Sequence, residues 1–477
     1  MEGRHFSANR ERMKYVVTDY VTTSLAFFVF DIFRFVARVH SGYEGNLWIY
    51  LSSSKLIWEQ VFVPLCLMGV YWLSGFYNKP ILKSRLNEFT VTLYSALSNA
   101  MLIYLVMMVN DSTNLRSQEY MLICVLACIL FLFTYTGRYL ITRHKIRQLK
   151  NRKWRYTTLI IGYSNRGIRT FKNLRNGGSV WAFDVVGFVK IPGERETNRD
   201  NSGLPVYDLE ELEKVCKMKH VDQIVISPEQ PRDKVTMQIL NRLFPLGVSV
   251  HIEPDELSYL TSEILMDDIL GVPFVSLTSP RLSEFEKNIK RVFDVVCSSV
   301  ALLILLPLFG VISICVKRSS PGSVFYSQER IGLRQRPFRI YKFRSMRQDA
   351  EADGPRLSND NDSRITSVGK VLRKYRLDEL PQFWNVIKGD MSLVGPRPER
   401  AYYIREIVKR APYYNLLFQV RPGITSWGMV KYGYASNVTQ MVKRSSFDLI
   451  YLNNMSIATD MKILIYTVRT VVKGSGK

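Results

Sequence analysis

The chain has 477 residues, too many for one small core, so two or three domains are implied. Its 65 Lys and Arg against 42 Asp and Glu give a formal net charge of +23, which points to a polyanionic partner. The 6 Cys show no CxxC or zinc spacing, which excludes a disulfide framework or a zinc module and reads as reduced thiols. Residues 281–477 hold 33 Lys and Arg against 16 Asp and Glu, so most of the basic excess lies in the last two fifths.

Four apolar stretches fill the first 150 residues, roughly Val16 to Val36, Ile57 to Phe76, Thr90 to Val109 and Tyr120 to Ile141. Each approaches the ~20 residues that a helix needs to cross hydrocarbon. Asp19, Asp31 and Arg34 make the first the least regular. The leader before it shows no small-residue cleavage site, so no cleavable signal peptide is expected. Basic residues flank alternate ends: Arg4, Arg10, Arg12 and Lys14, then Lys79, Lys83 and Arg85, then Arg138, Arg143, Lys145, Arg147 and Lys150. By the positive-inside rule, the N-terminus and everything after residue 142 face the cytoplasm. The competing reading is four buried helices of a soluble bundle.

Residues 151–280 alternate strands and helices. "RYTTLIIGYSNRGIRTFKNL" reads as strand, glycine turn and helix, and "FDVVGFVKI", "LEELEKVCKMK", "VDQIVIS" and "VSVHIEP" continue the pattern. This predicts a Rossmann-like parallel α/β domain. Gly162 and Gly167 invite a nucleotide, but Ser164 stands where the middle glycine of G-x-G-x-x-G belongs and hinders close approach to a pyrophosphate. A scaffold or dimerisation module is the preferred reading, hence an expected homodimer.

Residues 289–318, "IKRVFDVVCSSVALLILLPLFGVISICVKR", are long and apolar enough to span. Both ends are basic, however, and both therefore favour the same face. Pro307 lies near the middle, where it removes a backbone bond and kinks a helix. A re-entrant hairpin at about 289–318 satisfies both facts, with Ser298 or Ser299 as partners for the freed backbone. A fifth transmembrane helix is the alternative.

The remainder is dense in motifs: "GSVFYSQERIG", "PFRIYKFRSM", "DSRITSVGKVLRKYRLDELPQ", "GDMSLVGPRPE" and "VRPGITSWG". Taken in order, these resemble the bacterial sugar transferase family, the monotopic phosphoglycosyl transferases. They are most similar to the long members that act on undecaprenyl phosphate and initiate surface-polysaccharide assembly. The resemblance covers about 285–477, and it implies a mostly helical catalytic domain at 281–477. It also implies transfer of a hexose-1-phosphate from a UDP-sugar to undecaprenyl phosphate, through a phosphosugar on an aspartate and with Mg²⁺. The place implied is a bacterial inner membrane, with the catalytic domain at its cytoplasmic face.

On that reading Asp378 is the nucleophile, splitting one phosphoryl transfer into two. Glu379 beside it holds the metal with Asp378 or assists proton transfer. Adjacent carboxylates repel, and a divalent cation offsets that repulsion as well as the charge of a diphosphate. Considered alone, "LDELP" also reads as a solvated helix start with acids at its N-terminus. Arg397, between Pro396 and Pro398, is assigned to the donor diphosphate, because a planar fork suits phosphate. Arg373 could meet either phosphate. Lys342 and Arg344 of "YKFRSM" are further candidates, with anionic lipid headgroups as their alternative ligand. "RAPYYNLLFQVRPG" mixes aromatic, aliphatic and basic residues as an interfacial helix would. Many long members carry Trp-Gln-Val after the Pro-Gly turn; here Met429 replaces the Gln, so the sugar, glucose or galactose by analogy, is left open.

Two other readings compete. A non-enzymatic membrane scaffold or sensor would place a ligand in the α/β domain. A nucleic-acid binder would account for the charge, but no recognisable module supports it, and no nucleic-acid partner is expected.

Overall fold

The computed structural model describes residues 8–37, 46–78, 85–110, 116–150, 155–176, 183–194, 203–229, 233–243, 246, 248–252, 275–276, 282–348, 350, 362–433 and 435–472. They form two compact units. The first contains four long helices: α1 (Ala8–Val36), α3 (Ser54–Leu73), α4 (Arg85–Asn110) and α5 (Arg116–Lys150), with a short α2 (Leu47–Leu51) between the first two. Among the described residues, five helical stretches are long and apolar enough to cross a membrane, and four of these lie before residue 150.

The bundle explains one of the charges of α1, that of Asp19. Asp19 and Arg138 of α5 are both fully buried and face each other inside the bundle. Arg138 donates from Nε to Asp19 Oδ1 at 2.9 Å and from Nη2 to Oδ2 at 2.7 Å, while its Nη1 reaches Thr92 at 2.9 Å. Tyr77 donates its hydroxyl to Asp19 Oδ2 at 2.8 Å, and the guanidinium carbon lies 3.7 Å from the Phe76 ring centre. Every formal charge in this cluster has a partner, which is the condition for carrying charge inside an apolar bundle. All six cysteines are free.

The second unit carries most of a six-stranded sheet, β1 (Tyr156–Ile161), β2 (Phe183–Val189), β3 (Val206–Tyr207), β4 (Gln223–Ile226), β5 (Ser249–Ile252) and β6 (Val275–Ser276), in the order β3-β2-β1-β4-β5-β6. The pairs β1–β4, β4–β5 and β2–β3 are parallel; β6 is an antiparallel edge, a departure from the purely parallel expectation. Helices α6 (Asn165–Asn176), α7 (Leu212–Met218) and α8 (Asp233–Leu243) connect the strands. The glycine turn has a packing cause. Gly162 has φ +124°, and a Cβ on Gly167 would stand 1.9 Å from the Gly162 carbonyl oxygen.

The C-terminal domain begins with α9 (Glu284–Ser319), started by a capping box in which Ser283 and Glu286 bond reciprocally. The helix runs through Pro307 as one continuous element, where two helices joined by a turn were expected. Both ends nevertheless pack on this domain. Asp294 near its start accepts from Ser392 Oγ at 2.7 Å and from Leu393 N at 3.1 Å. Ile312 and Val316 near its end join Phe343 and Leu372 in one apolar cluster. Between these, Leu303, Ile304 and Leu306 are 69%, 70% and 60% exposed. Ser298 is buried, and its hydroxyl has no partner among the described residues, so it does not serve the backbone near Pro307.

After α9 come the hairpin β7 (Phe325–Ile331) and β8 (Pro337–Phe343), α10 (Ser367–Lys374), α11 (Gln382–Lys388), β9 (Ser392–Val394), α12 (Ala401–Arg410), β10 (Gly423–Thr425), α13 (Trp427–Lys431), α14 (Val438–Asn453) and α15 (Ile457–Val472). Strands β9 and β10 pair in parallel. Residues Pro412–Gln419 form a 3-10 stretch that buries Tyr414, Asn415, Leu417 and Phe418. It is therefore a core segment of this domain and not the interfacial helix its composition predicted, because its aromatic residues find partners on α12 and α14.

Candidate active site

The chain from α10 to α11 carries the two acids. Thr366 caps α10 by accepting from Gly369 N at 3.0 Å. The helix ends at Tyr375, and Arg376 then adopts a left-handed conformation, φ 53° and ψ 25°. For a residue with a Cβ this costs about 1–2 kcal/mol. It turns the chain sharply into the single 3-10 turn Leu377–Glu379 before Pro381 opens α11. Asp378 and Glu379 are 7% and 8% exposed, so neither is a solvated acid at a helix start.

They line a cavity of about 280 Å³. Its described walls carry nine Lys or Arg side chains and three carboxylates, those of Asp378, Glu379 and Glu399. Such a pocket suits a ligand with several negative charges. Lys342 enters from β8, with Nζ 2.9 Å from Glu379 Oε1. Arg397 enters from the loop after β9, with Nη2 3.2 Å from the same oxygen and Nη1 3.1 Å from Met429 Sδ. Pro396 and Pro398 on either side of it are buried and fix the loop. Arg376 Nη1 lies 3.9 Å from Glu379 Oε2. Arg373 lines the cavity and donates from Nε to Ser345 Oγ at 2.9 Å.

Arg344 also borders the cavity but is only 6% exposed. It donates to the carbonyls of Pro321 and Ser320 at 2.9 and 2.7 Å, tying the end of α9 to β8. Pro307 lies on the exposed part of α9 and lines neither this cavity nor the other one described below. The structure thus brings Asp378, Glu379, Lys342, Arg373 and Arg397 to one cavity.

The two acids have opposite electrostatics. Burial pushes the Asp378 carboxyl up to about 6; Lys342 opposes the rise and Glu379 adds to it. Among the described residues Asp378 accepts no hydrogen bond and forms no ion pair. Burial acts on Glu379 in the same direction, but Lys342, Arg397 and Arg376 outweigh it and hold its carboxyl well below the usual range.

Behind this front lies a layer that the motifs did not reveal. Glu399 accepts from Arg330 Nη1 at 3.3 Å and also pairs with Arg444 of α14. Asp448, one turn further along α14, accepts from Gly428 N at 2.8 Å, and it also accepts from the backbone N–H of Arg397. The i and i+4 spacing of Arg444 and Asp448 places both on one helix face. That face holds the Arg397 loop and the Met429 turn. Glu399 and Arg376 lay inside quoted motifs; Arg444 and Asp448 carried no local signal.

The donor set fits a hard divalent cation. The Asp378 oxygens take no hydrogen bond among the described residues, and Mg²⁺ is commonly held by one or two carboxylates completed by water and substrate phosphates. Among the described residues there is no cluster of three or more His, Cys, Asp or Glu that would form an all-protein cage.

Residues 285–474 match the family model described as bacterial sugar transferase. The chain is 43% identical over 217 residues to a UDP-N-acetylgalactosamine-undecaprenyl-phosphate N-acetylgalactosaminephosphotransferase of Aeromonas hydrophila, covering 46% of this chain and 51% of the relative. It is 33% identical over 288 residues to the UDP-glucose:undecaprenyl-phosphate glucose-1-phosphate transferase of Escherichia coli K12, covering 60% and 61%. A Klebsiella pneumoniae protein of that same description is 32% identical over 354 residues, covering 71% and 74%. The matched region thus spans between half and three quarters of these relatives. With motifs, family match and a relative covered over most of its length in agreement, the chain belongs to the bacterial sugar transferase family.

Proposed function

We propose that the protein transfers a sugar-1-phosphate from a UDP-sugar to undecaprenyl phosphate, releasing UMP, as the initiating step of a surface polysaccharide. The observation that carries this reading is the buried Asp378, without a hydrogen bond or ion pair among the described residues, beside a Glu379 held by Lys342 and Arg397, in a cavity rich in basic residues. An Asp378 oxygen attacks the sugar-bearing phosphorus of the donor; the bond to the bridging oxygen breaks, and UMP leaves with that electron pair. A phosphate oxygen of undecaprenyl phosphate then attacks the same phosphorus and frees Asp378. Arg397 and Arg373 bind the diphosphate, and Lys342 compensates charge beside the acids. Mg²⁺, held by Asp378 with Glu379 beside it, would neutralise charge on the diphosphate and leaving group.

The packing of both ends of α9 on one domain, with an exposed apolar middle, supports a re-entrant membrane helix. A straight spanning helix would part its ends by about 30 Å of hydrocarbon. The catalytic domain then sits on the cytoplasmic face of the inner membrane, and the α/β domain serves as the scaffold of a homodimer. The relatives act, by their descriptions, on N-acetylgalactosamine or glucose donors, and Met429 beside Arg397 stands where the sugar could be sensed.

The test is UMP release by detergent-purified protein from a panel of UDP-sugars with undecaprenyl phosphate and Mg²⁺, beside Asp378→Asn. Release that needs the lipid, selects one donor and disappears in the variant supports the reading. A folded protein inactive with every nucleotide donor would favour the scaffold reading.

A further inference from the structure

A second cavity, of about 390 Å³, lies where β5 meets the base of α9, and it shares no lining residue with the first. Lys287, Lys290, Arg291, Arg334 and Arg421 line it, against one carboxylate, Asp294. Asp294 is already engaged by the Ser392 hydroxyl and the Leu393 N–H. Lys287 and Lys290 have acids of their own, Glu284 and Asp460. Arg291, Arg334 and Arg421 form no ion pair among the described residues.

Arg291 donates to the carbonyls of Val386 and Ile387 at 2.7 and 3.0 Å, and Arg421 Nε to the Gly389 carbonyl at 2.9 Å. These carbonyls end α11, so two guanidiniums gather at one helix C-terminus. The terminus offers roughly half a negative charge, which cannot neutralise both. Arg421 is exposed as a whole residue, but desolvation around its guanidinium, and then the neighbouring Arg291, draw its pKa below its usual value. Arg334 sits on a turn where it and Gln335 both have left-handed φ, 53° and 58°. That turn is pinned by Gln335 to Asn415, which in turn bonds Asn241 of α8 at 2.7 Å.

We propose that this cavity is a binding site for a phosphate group, carried by an anionic lipid headgroup or by a soluble phosphate compound. Lys290 and Arg291 directly precede the apolar part of α9, where Val292 and Val296 are 40% and 53% exposed. On the membrane reading of α9 proposed above this is headgroup depth, where basic pockets beside membrane helices take lipid phosphates. The guanidinium fork matches phosphate geometry. Val394 lines this cavity and Arg397, three residues on, lines the first, so an occupant here braces the strand that leads to the Arg397 loop.

The experiment compares three full-length proteins: wild type, Arg334→Gln/Arg421→Gln, and Lys409→Gln/Lys443→Gln as an equal charge change at exposed positions of α12 and α14. Thermal unfolding is followed by tryptophan fluorescence. One arm titrates inorganic pyrophosphate in detergent; the other compares nanodiscs of phosphatidylcholine with and without phosphatidylglycerol. A soluble source predicts a saturable pyrophosphate stabilisation of wild type and control, with half-saturation at least tenfold weaker in the site variant. A lipid source predicts that phosphatidylglycerol raises Tm in wild type and control, and that the site variant loses most of the increment. Equal responses in all three proteins, or none in wild type in either arm, overturn the proposal. Pyrophosphate bound only in the catalytic cavity gives equal responses and so counts against it. If the double variant does not fold, Arg334→Gln alone, exposed on its turn, replaces it. UMP release is not the readout, so this proposal and the transferase reading fail independently.

Discussion

Asp378 and Glu379 are adjacent, buried to the same degree, and pushed to opposite ends of the carboxylate range. Lys342 and Arg397 both bond Glu379 and neither bonds Asp378. Glu379 is thereby fixed as the ionised partner, and the Asp378 carboxyl, pushed up to about 6, has no hydrogen bond or ion pair among the described residues. An acid-base pair with separated acidities is the pattern by which one site assigns two roles to like groups.

A pH profile follows. If Asp378 attacks as the carboxylate, kcat/KM for UMP release rises with pH to a plateau, with a midpoint drawn below about 6 to the extent that Mg²⁺ sits on Asp378. Lys342 lowers the Asp378 pKa, so Lys342→Gln moves the midpoint to higher pH and costs most activity below it. A profile in which wild type and Lys342→Gln share a midpoint would show that Lys342 does not tune the nucleophile.

Arg397 predicts a different kinetic signature. Its fork reaches Glu379 and lies against Met429, on a loop stiffened by Pro396 and Pro398. Arg397→Lys keeps the charge and loses the planar geometry. KM for the donor should rise on the order of tenfold, about 1.4 kcal/mol, with unfolding temperature unchanged. An equal fall in kcat with unchanged KM would instead place Arg397 on the transition state alone.

How much of this was legible depended on whether the information was contiguous in the chain. "LDELP" and "GPRPE" each hold their site residues within a few positions, and the apolar runs announce helices by length alone. The burial of Asp378 and Glu379 was not readable, because it depends on β8, the β9 loop and α14 closing over the turn. Arg444 and Asp448 sit in "VKRSSFDL", which resembles any amphipathic helix until its partner loop is known. "RAPYYNLLFQVRPG" was misread because aromatic and basic residues suit a membrane interface and a buried connecting segment equally. Asp19 looked like a defect in a span, since Arg138 is 119 residues away in sequence.

Asp448 gives a stability prediction with a definite sign. Burial raises its carboxyl to about 6 despite the Gly428 N–H and nearby Arg444. Between an unfolded pKa of about 3.9 and that value the folded protein binds more protons, so stability falls as pH rises through this window and is level above it. Asp378, also raised, contributes the same sign. Asp448→Asn keeps an oxygen for Gly428 N–H and removes one titration, so unfolding temperature between pH 4 and 6 should fall less steeply than in wild type. Asp448→Ala leaves that N–H buried without a partner and should cost about 1–3 kcal/mol at every pH. Identical slopes for wild type and Asp448→Asn would mean the carboxyl is not titrating there.

The Asp19–Arg138 pair tests the bundle apart from the chemistry. Both are fully buried, and the guanidinium is also held by Thr92 and the Phe76 ring. Asp19→Asn leaves a buried guanidinium without its counter-charge, which should cost about 3–5 kcal/mol. Asp19→Leu/Arg138→Met removes both charges and should recover most of that loss, because the desolvation cost disappears with the attraction. Thermal unfolding in detergent of Asp19→Leu, Arg138→Met and the double variant measures the coupling. A double variant less stable than either single one would mean that Tyr77 and Thr92, deprived of both partners, matter more than the charges they surround.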